Sequence, residues 1–487
     1  MNIDFTLIFA LLFSSSTPFL SSNLKTAFKT SIFIMITALL INTYTLFKVF
    51  INGVSFTPLQ EFSYMLSLIM SEIILIIALA SIIFSNSYFN FSEIVRGRIY
   101  FGLIPILSAT LIGLSMFNNI ISMLFFLEAS TFISAILVLY GERRDKAVFS
   151  TMVYLVMSII ESILILSGIY FLTRGYGLNL ALTDINELSK YAIISKYDVE
   201  LASYCILLGF GIKAGASPIA LLWLPLVHSE APSPISALLS GVIIESAYIP
   251  MLKYTYALIP QISINIGGFI AFSGLINVLI GAIGMILDRD LKRILAFSSI
   301  SSMGGLGMAL GLGMIMNIHE AYMCLLGSIL YLFAHSFSKA LLFLCAGILI
   351  KTSHERNWFK MSQKVRFPPI TSIMWIIGAI SISGLFPFTS GYYGKHIIME
   401  SINTIESSVF NISKDVYSFA LYFAGIVIFC VLMVFIIFSF KGSEKSKERF
   451  DLMFLSSFIL MLISFTLGIL YSYVYLHDLL HQLFLGG

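Results

Sequence analysis

Residues 207–225 read LLGFGIKAGASPIALLWLP, an apolar run holding one lysine, Lys213, among Gly211, Gly215 and Pro218. A membrane-spanning helix needs about 20 mostly apolar residues, and glycine and proline interrupt one. The stretch is therefore predicted to cross a bilayer as a broken helix. An ammonium at that depth costs roughly 2.5–3.5 kcal/mol on insertion scales, so it is expected to be paired, wetted or functional. Two more lysines are placed in the same way. Residues 330–349, LYLFAHSFSKALLFLCAGIL, hold Lys339, and His335 four residues earlier shares its helix face. Residues 381–399, SISGLFPFTSGYYGKHIIM, hold Lys395 behind Gly384, Pro387, Gly391 and Gly394. Three intramembrane lysines, two of them at helix breaks, point to ion movement with these residues on the route.

The rest of the chain agrees with a membrane setting. Of 487 residues, 58% are hydrophobic and 11% charged, and the mean hydropathy is +0.96. Soluble proteins carry about 25% charged residues, so the deficit defines an all-α polytopic membrane protein. The net charge of +3 identifies no partner, because in such a chain the placement of charge carries the information. Cys205, Cys324, Cys345 and Cys430 fall in apolar segments without a CxxC or Cys/His cluster. They read as small core residues, neither disulfides nor metal ligands. No Gly-rich phosphate loop, nucleotide fingerprint or redox-centre spacing occurs, so the chain is expected to hold no cofactor and to draw its energy from a gradient or a partner. Nothing suggests a nucleic-acid partner. The first segment, FTLIFALLFSSSTPFL at 5–20, has no basic residue ahead of it and is expected to stay as a membrane helix.

Dividing the chain by span length gives about fourteen transmembrane helices. They fall near 5–20, 30–50, 63–85, 99–118, 120–140, 147–172, 201–226, 233–256, 264–287, 291–316, 319–350, 370–400, 416–440 and 452–476. The fourth and fifth are separated by the tight turn at 117–119, and the eleventh and twelfth are long enough to suggest internal breaks. With the N-terminus outside, nineteen Lys and Arg residues fall in inside loops. Six fall outside, namely Lys48, Arg174, Lys190, Lys196, Lys253 and Lys414; the three intramembrane lysines complete the 28. This obeys the positive-inside rule and predicts both termini outside. Breaks at 211–218 and 384–395, each with a lysine, echo one another as in inverted-repeat transporters. The implied organisation is three N-terminal helices (1–98), a first five-helix repeat (99–256), a second (257–440), and a basic loop with the last helix (441–487), with helices 7 and 12 broken.

Four carboxylates, Glu72, Glu128, Glu161 and Glu245, also lie in predicted spans. A glutamate within reach of a lysine can act as a switch, because pairing favours both charged forms and separation lets the lysine release its proton. The plainer readings stand beside this. Lys213 and Lys395 could cap unwound carbonyls, Glu72 and Glu161 could tie helices together, and His228 could be a loop-edge residue. The remaining histidines considered, His319, His354, His477 and His481, are expected in solvent.

Residues 211–241, GIKAGASPIALLWLPLVHSEAPSPISALLSG, resemble the hallmark segment of the antiporter-like subunits of respiratory complex I. That superfamily also includes Mrp-type cation/proton antiporter subunits and the membrane arms of energy-converting hydrogenases. DLKRILAFSSISSMG (290–304), HSFSKALLFLCAG (335–347) and GLFPFTSGYYGKHII (384–398) resemble the signatures that follow, in the same order, so that with Glu128 the likeness runs from about 100 to 400. It implies a fourteen-helix fold with two inverted five-helix repeats and a central chain of ionisable residues joining two half-channels. It further implies that Glu128 is the helix 5 glutamate, Lys213 the lysine of broken helix 7, Lys339 the helix 11 lysine and Lys395 the charged residue of broken helix 12. His228 corresponds to the histidine after Leu-Pro.

Two departures stand out. Helix 8 of the family usually carries a lysine in a Lys-x-Gly-x-Tyr pattern, whereas IIESAYIPML (243–252) puts Glu245 there and Ala247 at the glycine. Ala220 replaces a histidine, and Leu226 an acidic residue. The expected function is proton translocation as a non-redox subunit of a complex-I-like quinone oxidoreductase, through Glu128, Lys213, Glu245, His335, Lys339 and Lys395, with Glu72, Glu161 and His228 as accessory groups. An Mrp-type cation/proton antiporter or a hydrogenase subunit is the alternative. A non-conducting scaffold is the alternative of another class, kept open by Glu245 and Ala220. The implied partners are other membrane subunits, which would carry quinone and iron–sulfur centres, together with the lipid bilayer and protons, Na+ being the other candidate ion. The Ile- and Lys-rich composition suggests the plasma membrane of a prokaryote.

Overall fold

The computed structural model describes residues 2–52, 58–91, 93–177, 184–258, 264–405, 409, 412–440, 442–445 and 450–485. Lys441, Lys447 and Arg449 of the predicted basic loop lie outside them. The chain forms two compact units, Met1–Ile266 and Gly267–Gly487.

In the first unit, helices α1 (Asn2–Ser14) and α2 (Ser16–Leu20) replace the single first span that was expected. They are followed by α3 (Leu24–Asn52), α4 (Pro58–Tyr88), α5 (Ile94–Met116), α6 (Ile120–Val138) and α7 (Arg144–Tyr176). The tight turn between α5 and α6 is where it was predicted. The Asn119 side chain accepts from the amides of Ile121 and Ser122 there, satisfying donors that every helix N-terminus leaves open. Then come α8 (Lys196–Ala214), a 3-10 turn at Pro218–Leu222, α9 (Leu224–Glu230), α10 (Ser233–Leu238), a π turn at Leu239–Ile243, and α11 (Ile244–Leu258). α8 ends because Gly215 adopts φ 75°, a left-handed conformation open to glycine. The Ala216 and Ser217 amides turn back onto the Gly211 carbonyl at 2.9 and 3.1 Å. The seventh span is therefore broken, as the glycines and proline predicted.

The second unit contains most of α12 (Ile264–Leu287), then α13 (Leu291–Gly313), α14 (Ile318–Ser353), α15 (Trp358–Lys364), α16 (Pro369–Ser383), α17 (Ser390–Asn403), α18 (Lys414–Ser439) and α19 (Leu452–Leu485). A two-residue parallel pairing of Val365–Arg366 with Glu444–Lys445 is the only named sheet among the described residues. α12 and α13 touch through glycine. A Cβ on Gly274 would fall on the Met308 and Gly304 backbone, and one on Gly281 would reach 2.7 Å from the Phe297 carbonyl. Small residues allow this approach where water supplies no drive for helix association. The twelfth span is broken: α16 ends at Gly384, with φ 62°, and α17 resumes at Ser390. The eleventh is not. α14 runs 36 residues without interruption, because its stretch has no proline and Gly327 packs against the Gly394 carbonyl and Ile398.

Twelve helices among the described residues are long and apolar enough to cross a membrane, and two shorter apolar ones, Ala10–Leu20 and Pro369–Ser383, fall where the first and twelfth spans were expected. The outward faces carry large apolar side chains at helical spacing, such as Phe149, Met152, Val156, Ile159, Ile163 and Leu166 on α7. A water-facing surface would not tolerate such a stripe, and a lipid-facing one needs it. The cysteines split. Cys324 and Cys345 are buried as predicted, but Cys205 is partly open and Cys430 exposed on α18, where a small apolar side chain meets lipid as readily as core.

Candidate functional site

Lys213 is fully buried in the last turn of α8, at the negative end of that helix's dipole. Its ammonium donates to Thr131 Oγ1 at 2.5 Å, lies 3.6 Å from Glu161 Oε2, and sits 4.2 Å above the Tyr154 ring. The Trp223 ring is 5.8 Å from it, and the indole N–H is bonded to the Ile212 carbonyl. Glu161 is brought there by close packing of α7 against α8. A Cβ on Gly209 would stand 3.1 Å from the Glu161 carbonyl, and Gly168 and Gly175 lie equally tight against Ile206 and Val199. One turn beyond Gly209, Lys213 meets the Glu161 carboxylate. Both charges are sealed from solvent, so each depends on the other: removing one partner of such a pair typically costs 3–5 kcal/mol.

Glu128 has a different setting. Its carboxylate accepts from Ser158 at 2.9 and 2.8 Å and from Ser162, both on α7, and it is only partly buried. The direct carboxylate partner of Lys213 is therefore Glu161, not the helix 5 glutamate. The signal for this was a polar stripe, Tyr154, Ser158, Glu161 and Ser162, on one face of an otherwise apolar helix. Glu245 is fully buried in the first turn of α11, directly after the π turn. Such π segments often occur at functional sites. His228, whose plainer reading was a loop-edge residue, is instead fully buried on α9. Glu72 on α4 accepts from Asn42 Nδ2 at 2.7 Å and Thr43 Oγ1 at 2.6 Å, the helix tie that its plainer reading described.

Lys253 overturns a second reading. Counted among outside-loop cations, it is 2% exposed and lies within α11. Its ammonium donates to Ser67 Oγ (2.9 Å), the Ser115 carbonyl (2.5 Å) and Asn118 Oδ1 (2.9 Å). Three neutral oxygens from α4, α5 and the α5–α6 turn match its three N–H groups. The sequence concealed it because Lys253 falls near the end of a span, where lysines usually snorkel outward.

In the second unit, Lys339 is fully buried on α14 and donates to the Leu295 carbonyl (2.7 Å) and to Ser298 on α13. His335, one turn away, is also fully buried. Lys395 is 4% exposed on α17 and reaches back across the break to the Ser383 carbonyl, the last of α16, at 2.9 Å. Its head occupies a slot made by missing side chains. A Cβ on Gly425 would lie 2.6 Å from Nζ, and one on Gly384 2.7 Å from Cδ of the lysine. Gly384 was predicted as a break residue; Gly425, on α18, was not foreseen. Gly391 also needs its missing side chain, since a Cβ there would collide with the Ser381 carbonyl. No group of three or more metal-ligating side chains exists among the described residues.

This is a multi-pass membrane protein with buried lysines seated at the joints of broken helices. A family profile described as "NADH:quinone oxidoreductase/Mrp antiporter, TM" matches residues 117–419, and the chain belongs to that family. It is 26% identical over 401 residues to hydrogenase-4 component B of Escherichia coli (strain K12), covering 80% of this chain and 58% of that one. It is 28% identical over 364 residues to the chloroplastic NAD(P)H-quinone oxidoreductase subunit 5 of Phaseolus vulgaris, covering 70% and 46%. The chain thus spans about half the length of these relatives. Among solved structures, a chain of the archaeal membrane-bound sulfane sulfur reductase shares its fold, with TM-score 0.80 at 17% identity over 98% of this chain and 96% of that one.

Proposed function

We propose that this chain is a proton-translocating, non-redox membrane subunit of a complex-I-like quinone oxidoreductase. The observation that carries the reading is the sealed Lys213–Glu161 pair at the joint of α8. A buried ion pair is a poor device for stability, but it is a good one for holding and releasing a proton, since separating the two charges shifts both toward neutrality. Protons would pass Lys213 and Lys339 and leave at Lys395, with Glu161 as the direct switch on Lys213, Glu128 modulating at longer range and Glu245 relaying as a carboxylate. Quinone and iron–sulfur centres would belong to partner membrane subunits. The complex would sit in a prokaryotic plasma membrane, with both termini of this chain outside. The family description also names Mrp antiporters, so exchange of Na+ for protons driven by an existing gradient is the second reading.

The test is proton uptake by membrane vesicles carrying the native complex. Lys213→Ala should abolish uptake while the complex still assembles; uptake at the wild-type rate would overturn the assignment. Uptake that requires Na+ and no electron donor would favour the second reading.

A further inference from the structure

We propose that the connector between α14 and α16, together with the end of α18, binds the headgroup of an anionic phospholipid and lays one of its acyl chains along α18. Lipid binding at this place is independent of which ion the chain carries.

The connector holds α15, and the two faces of that short helix differ. Met361 and Ser362 are fully buried, whereas Phe359, Lys360, Gln363 and Lys364 are exposed. Lysines and an aromatic ring turned outward together suit the boundary between headgroups and acyl chains. The fold puts α15 at that boundary: α14 ends at Ser353, α16 begins at Pro369 and α18 ends at Ser439, so three spans stop beside it. The surface is held in place before any lipid arrives. The Trp358 amide donates to the Arg289 carbonyl at 3.0 Å and the Ser443 amide to the Gln363 carbonyl at 3.2 Å. The pairing of Val365–Arg366 with Glu444–Lys445 fixes the far end.

The charge of this surface fits an anion. Residues 354–368 contain Arg356, Lys360, Lys364 and Arg366 against a single acid, Glu355. The two aspartates at the foot of α13 are already engaged, Asp288 by Arg293 at 3.0 Å and Asp290 by Arg356 at 3.2 Å. Lys364 gives one N–H to the Ser353 carbonyl at 2.8 Å and keeps two. Lys360 and Arg289 are exposed, and no carboxylate pairs with either among the described residues. The apolar half of the site begins where these cations end. The Phe438 ring lies 6.1 Å from Trp358 and 6.3 Å from Phe359, and Val434 and Ile437 continue the exposed apolar strip along α18. A soluble anion would use the cations and leave the strip bare, and a zwitterionic headgroup would bring its own ammonium against them. An anionic phospholipid answers both halves.

Trp358 makes the site observable, because the other two tryptophans, Trp223 and Trp375, are fully buried. The full chain in phosphatidylcholine vesicles is titrated with phosphatidylglycerol brominated on its acyl chains, and quenching of tryptophan fluorescence is followed. Each lysine near an anionic headgroup strengthens binding about fivefold, so half-quenching should need about 25-fold less brominated phosphatidylglycerol than brominated phosphatidylcholine. W358F should remove the quenching, and K360Q/K364Q should erase the preference. K360Q alone should weaken it about fivefold, and it decides the matter if the double variant does not fold. F359S, which keeps every charge, should weaken phosphatidylglycerol binding about tenfold, whereas a diffuse surface potential would not respond to it. Equal quenching by the two lipids, quenching that survives in W358F, or an unchanged preference in K360Q would overturn the proposal. So would an unchanged titration in F359S, or displacement of the lipid by inorganic phosphate, which would make the ligand a free anion.

Discussion

Lys213 and Lys395 look equivalent in sequence and are built differently. Lys213 precedes its break and belongs to the helix that ends there, and its charge is answered by the Glu161 carboxylate at 3.6 Å. Lys395 follows its break and reaches back to the Ser383 carbonyl, and no carboxylate ion pair with it exists among the described residues. Yet both ammonium heads rest at the C-terminal, negative end of a half-helix closed by a left-handed glycine, Gly215 in one unit and Gly384 in the other. The difference teaches that a helix break supplies a seat for a cation without dictating which half-helix carries it. What separates the two sites is whether an acid is present: the first is a charge pair that can be opened, the second a cation stabilised by dipoles alone.

The comparison can be broken most directly at Glu161. Glu161→Gln should strand the Lys213 ammonium, lowering stability by about 3–5 kcal/mol in thermal unfolding and stopping proton uptake. A Lys213→Met, Glu161→Leu double variant should recover the stability but not the uptake. Lys395→Met should also stop uptake, but it removes a cation that has no acid to abandon, so the cost should be only about 1–3 kcal/mol, from an unmet carbonyl. A loss as large as that of Glu161→Gln would erase the distinction. Gly425→Ala should cost about 1–3 kcal/mol through overpacking and shift Lys395 off the Ser383 carbonyl, slowing uptake without abolishing it. The smallest effect is expected at Ser158→Ala, about 1 kcal/mol for a lost hydrogen bond to Glu128, with uptake reduced and Lys213 still paired. If uptake responded more to Ser158→Ala than to Glu161→Gln, Glu128 and not Glu161 would be the switch.

The spans were legible because hydropathy and length constrain a membrane helix strongly, and both broken helices announced themselves through Gly215, Pro218 and Gly384. The three lysines were legible as energetic anomalies. What the sequence could not display was contact between elements distant along the chain. Glu161 meets Lys213 only because Gly209 and Gly168 let α7 and α8 close on each other. Lys253 looked like a loop cation because its oxygen partners are 135 to 186 residues away. Gly425 is one glycine in a uniform apolar helix, and its meaning lies in the lysine that fills its space. The break expected in the eleventh span rested on length alone, and length is equally well met by a helix that simply runs on.

That uninterrupted helix has a consequence of its own. His335 and Lys339 lie one turn apart on a single uninterrupted helix of 36 residues, so the helix itself sets the interval between them. The proposed pump must nevertheless admit a proton at one moment and refuse it at another. With the shaft invariant, timing falls to the jointed pieces beside it, where a small rotation about Gly384 would carry the Lys395 head toward or away from a stationary track. In the proposed pump, conduction and valve action would then reside in separate parts of the molecule and be open to damage independently.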